Sequence, residues 1–135
     1  MIAEAPILSK QIHLQEVLAT ELGTIYFYDN IVMMEAKEDV VLSLKTGIFI
    51  LLKVISMVGT KPVVYISNRI NSYAVAPTDY KYLELIPNLK GIAIVNYLKH
   101  LQQNVELERR FFKKPFESFD NLYDAKVWAL QMLHG

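Results

Sequence analysis

The 135-residue chain predicts an α/β domain with a mostly parallel five-stranded sheet and helices on both faces. Three observations predict it. The unbroken apolar runs Val63-Val64-Tyr65-Ile66 and Ile92-Ala93-Ile94-Val95 have the make-up of strands covered on both faces. Stretches with apolar residues spaced by three and four lie between and around them. Two segments rich in aromatic and β-branched residues meet at Asp29-Asn30, a pair suited to a tight turn. The order is ββαβαβαβα. Strands alternating with helices call for a sheet joined by crossovers.

Each element has its own warrant. Thr24 to Tyr28 and Ile31 to Ala36 form the hairpin. Lys37-Glu38-Asp39 places acidic residues where a helix dipole favours them. That helix continues through Val41, Leu44, Ile48, Leu51, Leu52, Ile55 and Val58. Gly59 and then Pro62 supply a stop signal. Pro62 to Ile66 is a strand and Ser67 to Ala76 a polar loop. Pro77 opens a short helix, as proline does at a first helical position. Gly91 to Val95 is the next strand, and Asn96 caps a helix from Tyr97 to about Phe112. Phe116 to Phe119 is a short strand. Asp120 or Asn121 caps a last helix with Leu122, Ala125, Trp128, Ala129 and Met132 inward. Residues 1–22 read as an N-terminal arm and 23–135 as the domain. In the arm, Leu14, Leu18 and Leu22 have helical spacing and Ser9 is a candidate cap. Ile7-Leu8 and Ile12-His13-Leu14 also fit extended chain. The helix is the expectation.

Composition excludes several classes of function. Fourteen Lys and Arg balance fourteen Asp and Glu, so the chain lacks the positive excess that phosphate neutralisation requires. No nucleic acid is expected as partner. The basic run Arg109-Arg110-Phe111-Phe112-Lys113-Lys114 reads as a helix end, offset by Glu106 and Glu108. The absence of cysteine excludes disulfides, thiolate metal sites and a cysteine nucleophile. His13, His100 and His134 are too far apart for a helical metal pair. The five glycines are isolated, so no phosphate-cradling loop is present. No metal, cofactor or catalytic group is expected. The start lacks a signal-peptide pattern, and the greasy stretch from Val40 to Val58 carries Lys45 and Lys53. A cytoplasmic protein without a membrane span is the expectation.

Ligands of open α/β sheets gather beyond the carboxyl ends of the strands. Those ends place Ser67, Asn68, Arg69, Asn71, Ser72, Tyr73, Thr78, Asp79 and Asn96 on one rim, the candidate surface for a partner or ligand. Tyr73, Tyr80 and Tyr82 cluster beside it, and tyrosine is enriched at interfaces. Mean hydropathy is +0.22, high for a chain with no net charge. A covered apolar surface, and self-association, would account for it.

The hairpin Thr24-Ile25-Tyr26-Phe27-Tyr28-Asp29-Asn30-Ile31-Val32-Met33-Met34, followed by a long helix, resembles the opening of STAS-like proteins. This is the sulfate-transporter and anti-sigma-factor-antagonist family, including its SpoIIAA-like branch. The tail from Lys114 to Leu130 is similar to that branch's ending, with a strand closing on Phe119 and the turn Val127-Trp128-Ala129. The resemblance spans Gly23 to Met132. It implies the SpoIIAA-like topology and a non-catalytic domain that regulates by binding a protein partner. Such domains carry a phosphorylated serine after the third strand. The matching stretch here, Tyr73-Ala74-Val75-Ala76-Pro77-Thr78-Asp79, has small apolar residues in place of the family's Asp-Ser pair. The phosphorylation is therefore not carried over, although Ser72 precedes the position and Thr78 follows it. The alternative is a small apolar or anionic ligand held at the same rim and the amide-rich helix starts at Val40 and Tyr97, and related lipid-transfer folds imply an apolar-ligand pocket. This chain is short for the extra helices such a pocket uses.

Overall fold

The structure is a computed structural model and describes residues 13–134. Its sheet has six strands in the order β1-β2-β3-β5-β7-β8. They are β1 (Leu14–Ala19), β2 (Gly23–Tyr28), β3 (Ile31–Ala36), β5 (Val63–Arg69), β7 (Leu89–Asn96) and β8 (Phe116–Phe119). The first three pair antiparallel; β3, β5, β7 and β8 pair parallel. The sheet is thus mixed. Among the described residues four α-helices accompany the sheet: α1 (Leu44–Val58), α2 (Tyr80–Glu84), α3 (Gln102–Arg109) and α4 (Leu122–His134). Two-residue strands β4 (Val41–Leu42) and β6 (Ala74–Val75) pair above the sheet.

The expected five-stranded sheet gains its sixth strand from the arm. Leu14–Ala19 is extended, not helical, and lies antiparallel to β2. A spacing of four satisfies both periods, because residues four apart share a face in a strand as well as in a helix. Leu18 and Leu22 pack on the same core as Ile25. The part of that expectation lying on residues 7–12 falls outside the described residues. At Gly23, φ is +152° and an added Cβ would meet the Glu35 carbonyl oxygen at 2.4 Å. Only glycine lets β2 and β3 close there.

Two helix starts are displaced. The long helix begins at Leu44 rather than at Lys37. Ser43 and Thr46 form a reciprocal capping box, which fixes the start more strongly than acidic residues do. Residues 37–43 instead cross the top of the sheet, with Asp39 left-handed at φ 65°. The Asp39 amide donates to the Ser72 carbonyl at 2.8 Å, tying this loop to the next. Asn96 is the last residue of β7, not a helix cap, and α3 starts only at Gln102. The helix starting near Asn121 stands as expected: its side-chain oxygen accepts from the Asp124 amide at 2.8 Å.

The core lies in two layers. On one side Ile31, Met33, Val64, Ile66, Ala93 and Val95 meet Ala125 and Ala129 of α4. On the other, Ile25, Phe27, Val32, Met34, Ile92 and Ile94 face α1, α2 and α3. Burying each large side chain contributes about 1.5–3 kcal/mol. The second layer is not filled throughout, and that gap defines the site.

Candidate functional site

The predicted rim is divided by the sheet. Alternation along β5 sends Ser67 and Arg69 to the α1 side and Asn68 to the α4 side. Asn68 donates to Glu35 at 2.8 Å and accepts from the Tyr97 hydroxyl at 2.6 Å. Tyr26 donates to the same carboxylate at 3.1 Å, and this contact raises its phenol above the usual range. Asn96 bonds Gln102 and the Leu98 amide. Asn71 donates to the Ala36 carbonyl, and Ser72 and Thr78 are exposed. Asp79 accepts from the Leu44 amide at 2.8 Å and so ties the start of α2 to the start of α1. The tyrosine cluster also divides. Tyr80 is buried, Tyr73 half-buried, and Tyr82 exposed.

What the structure does bring together is Ser67, Arg69 and Tyr73. Ser67 Oγ and the Tyr73 hydroxyl share a hydrogen bond of 2.7 Å, and Arg69 Nε donates to Ser67 at 3.2 Å. The Arg69 guanidinium lies 5.5 Å over the Tyr73 ring. Both of its terminal nitrogens donate to Glu108, each at 2.6 Å. The Tyr80 hydroxyl donates to the same carboxylate at 2.5 Å. Arg69 therefore enters a desolvated place already neutralised, as a buried cation must. Desolvation opposes its charge, and the Glu108 contact more than restores it. Burial is the leading cause that pushes the phenols of Tyr65, Tyr73 and Tyr80 upward.

Glu108 was missed as a site residue, yet it has a signal in the sequence. Leu101, Val105, Glu108 and Phe112 recur at four, three and four, so this carboxylate sits on the apolar stripe of its helix. A buried carboxylate requires a cation. The basic run after it serves the fold instead: Arg109 pairs with Glu106 and Glu117, and Lys114 donates to the Ile86 and Leu89 carbonyls.

Beneath this polar cluster a cavity of about 230 Å³ separates α1 and α2 from the sheet. Ile25, Val32, Met34 and Tyr65 form its floor, and Leu51, Val54, Val58 and Leu83 its roof. Ser67 and Arg69 stand at one end, Asn88 at the other. The helix roofing it is held mainly at its ends. The Ser43 box and Asp79 pin the start. Asn88 donates to the Gly59 carbonyl at 3.0 Å and pins the finish. Between these points none of the fifteen residues of α1 is buried. The chain was expected to be short for the extra helices of a lipid-transfer pocket, and the cavity here is formed without them. The pocket needs no additional helix, because α1 stands away from the sheet.

Arg69 and Asp79, the charged side chains at the wall, are both engaged, the first by Glu108 and the second by the Leu44 amide. The cavity is suited to an apolar molecule with at most one uncharged polar group at the Ser67–Tyr73 end. Among the described residues no group of three or more His, Asp or Glu could hold a metal. No helix among them is long and apolar enough to cross a membrane.

No known family model matches the chain, and no curated protein matches it in sequence. Among solved structures it is similar to an uncharacterised protein of the DUF3478 family with a SpoIIAA-like fold from Shewanella loihica PV-4. The two share 15% identity at a TM-score of 0.52, over 87% of this chain and 93% of that one. At that identity the likeness speaks for the fold alone. The chain is an α/β domain with a SpoIIAA-like fold.

Proposed function

We propose that the chain is a non-catalytic binding domain that takes up a small apolar ligand between α1 and the sheet. One observation carries this: the cavity of about 230 Å³, walled by aliphatic and aromatic side chains. An apolar cavity of about 150 Å³ already stays dry and accepts a benzene-sized guest. The polar end supports a ligand without formal charge, since Arg69 has its counterion in Glu108. The titratable groups there are engaged with one another, which favours binding over chemistry. A regulatory role fits a domain whose roof helix is pinned at its ends and free to adjust between them.

The test is titration with a neutral naphthylamine dye that fluoresces in apolar surroundings. Saturable binding is expected in the native chain, with loss of binding in Val54→Phe, which fills the cavity from its roof. Equal binding by both proteins, or none by either, overturns the reading. The interaction-domain reading has one observation in its favour, the exposed outer face of α1, and that face has its own chemistry.

A further inference from the structure

The outer face of α1 is apolar where a helix on a folded domain is ordinarily polar. Phe49 is 83% exposed, Leu52 53% and Ile55 38%. Across the cavity mouth, Leu85 is 76% exposed and Tyr82 38%. Ile55 and Tyr82 also line the cavity, so the exposed patch and the mouth are continuous. An apolar patch of this kind marks a surface that something covers.

The charges say what covers it. In its fifteen residues α1 carries Lys45 and Lys53 and no Asp or Glu. Both lysines are exposed, on the same side as Phe49. On α2, Lys81 Nζ sits 5.2 Å from the centre of the Tyr82 ring. A second copy is a poor match. A two-fold contact sets a patch against itself and would bring these lysines together with no carboxylate from α1 between them. A nucleic acid would answer the lysines but not Leu52 and Ile55. An anionic bilayer answers both, because its phosphates meet the cations and its acyl boundary takes the apolar side chains. A molecule suited to the cavity also resides in such a bilayer.

We propose that α1 docks by its outer face on an anionic membrane surface. Phe49 and Leu52 enter the headgroup boundary, Lys45 and Lys53 meet lipid phosphates, and the mouth between Ile55 and Tyr82 opens toward the lipid. The association is peripheral. The docking explains how an apolar ligand arrives, and in that respect it rests on the proposed cavity function.

Co-sedimentation of the full chain with phosphatidylcholine vesicles, with and without about a third phosphatidylserine, tests it. The expected result is partitioning to the serine-containing vesicles, weakened about tenfold by Phe49→Glu and similarly by Lys45→Glu with Lys53→Glu. Salt at about 0.5 M weakens it too. Phe49→Glu retains dye binding in the absence of vesicles, which shows that it is folded. Val54→Phe loses the dye and keeps the vesicles, so failure of the cavity reading and failure of the docking separate. No partitioning to anionic vesicles, or partitioning unchanged by Phe49→Glu, overturns the proposal. So does a dimer that Phe49→Glu converts to monomer, since the face is then taken by a second copy.

Discussion

One sheet carries two kinds of packing. Under α4, Ala125 and Ala129 are fully buried, and the strands beneath them contribute Ala93, Val64 and Val95. The alanines, Ala125 and Ala129 on the helix and Ala93 on the strand, let the helix settle onto the sheet. Gly91 shows how little room remains near this helix: an added Cβ would lie 2.9 Å from the Trp128 ring. Under α1 the residues lining the gap are mostly branched or aromatic, Ile50, Leu51, Val54 and Val58 on the helix beside Gly47, with Ile25, Val32, Met34 and Tyr65 opposite. No residue of α1 is buried. Large side chains on both surfaces hold the backbones apart, and the gap is not filled from the sides. Periodicity decides that a helix covers a sheet. The distribution of small residues decides whether the covering is tight.

The sharpest way to break this comparison is to remove the polar anchor of the loose face. Arg69, Glu108 and Tyr80 link β5, α3 and α2 in a region that burial alone does not hold. Glu108→Ala leaves the Arg69 cation desolvated without its counterion, and a cost of about 3–5 kcal/mol is expected in urea unfolding. Glu108→Gln keeps the shape and is expected to cost less. A loss below about 1 kcal/mol for Glu108→Ala would show that the anchor does not hold this face.

A paired substitution measures the difference between the faces directly. Ala129→Leu adds volume where there is none to spare, and about 1–3 kcal/mol of destabilisation is expected. Val54→Phe adds volume above the cavity and is expected to change stability by less than about 0.5 kcal/mol while abolishing dye binding. Equal losses from the two would mean that the faces are equally dense. Native-state hydrogen exchange adds an independent check. Amides in the middle of α1 are expected to exchange faster than those of α4, because fewer buried contacts oppose their opening.

Most of the fold is legible in local chemistry. The Asp29-Asn30 hairpin, the two-faced strands at Val63 and Ile92, Gly59 after a helix and Pro77 before one are signals that act within a few residues. The departures come from longer range. Leu14, Leu18 and Leu22 satisfy two periods, and only pairing with β2 selects the strand. Lys37-Glu38-Asp39 resembles a helix start, but residues 41–42 are held by pairing with Ala74 and Val75, which the local pattern does not announce. The rim was legible as a location and not as a unit, because alternation along β5 parts Asn68 from Ser67 and Arg69. The cavity was least legible of all. Its wall is made of residues that read as ordinary core, and a void between two apolar surfaces leaves no mark on either sequence. Glu108 is the exception, since its place on an apolar stripe betrays a buried ion pair.

The pins of α1 offer a smaller effect. Asp79→Ala removes the carboxylate that accepts from the Leu44 amide across the gap. The local Ser43 box remains, so a cost of about 1 kcal/mol is expected, the usual scale for one capping contact. The corresponding change under α4, Asn121→Ala, removes a cap of the same kind at the start of a helix that burial also holds. Both are expected to lower stability similarly. Only Asp79→Ala is expected to speed dye release, because α1 roofs the cavity and α4 does not. Unchanged release would mean that the roof does not move at its start.

The alkaline limb of stability gives the finest discrimination. Burial is the first cause raising the phenols of Tyr65, Tyr73 and Tyr80, all on the α1 side, whereas Tyr26 on the other side is raised chiefly by its contact with Glu35. A raised phenol keeps its proton in the folded state when the unfolded chain, ionising near pH ~10, has lost it. The folded state then binds more protons, so stability falls as pH rises through that region and is unaffected below it. Tyr80, pushed well above the ordinary phenol range by burial and then by the neighbouring Glu108 carboxylate, is expected to contribute to this alkaline loss. Tyr80→Phe lowers stability at neutral pH by losing its bond to Glu108, but its alkaline limb is expected to be shallower. Thermal unfolding between about pH 7 and pH 11 reads both quantities. If Tyr26→Phe flattened the limb as much as Tyr80→Phe did, the desolvated tyrosines would not be confined to the cavity side, and the contrast between the two faces would fail in its electrostatics.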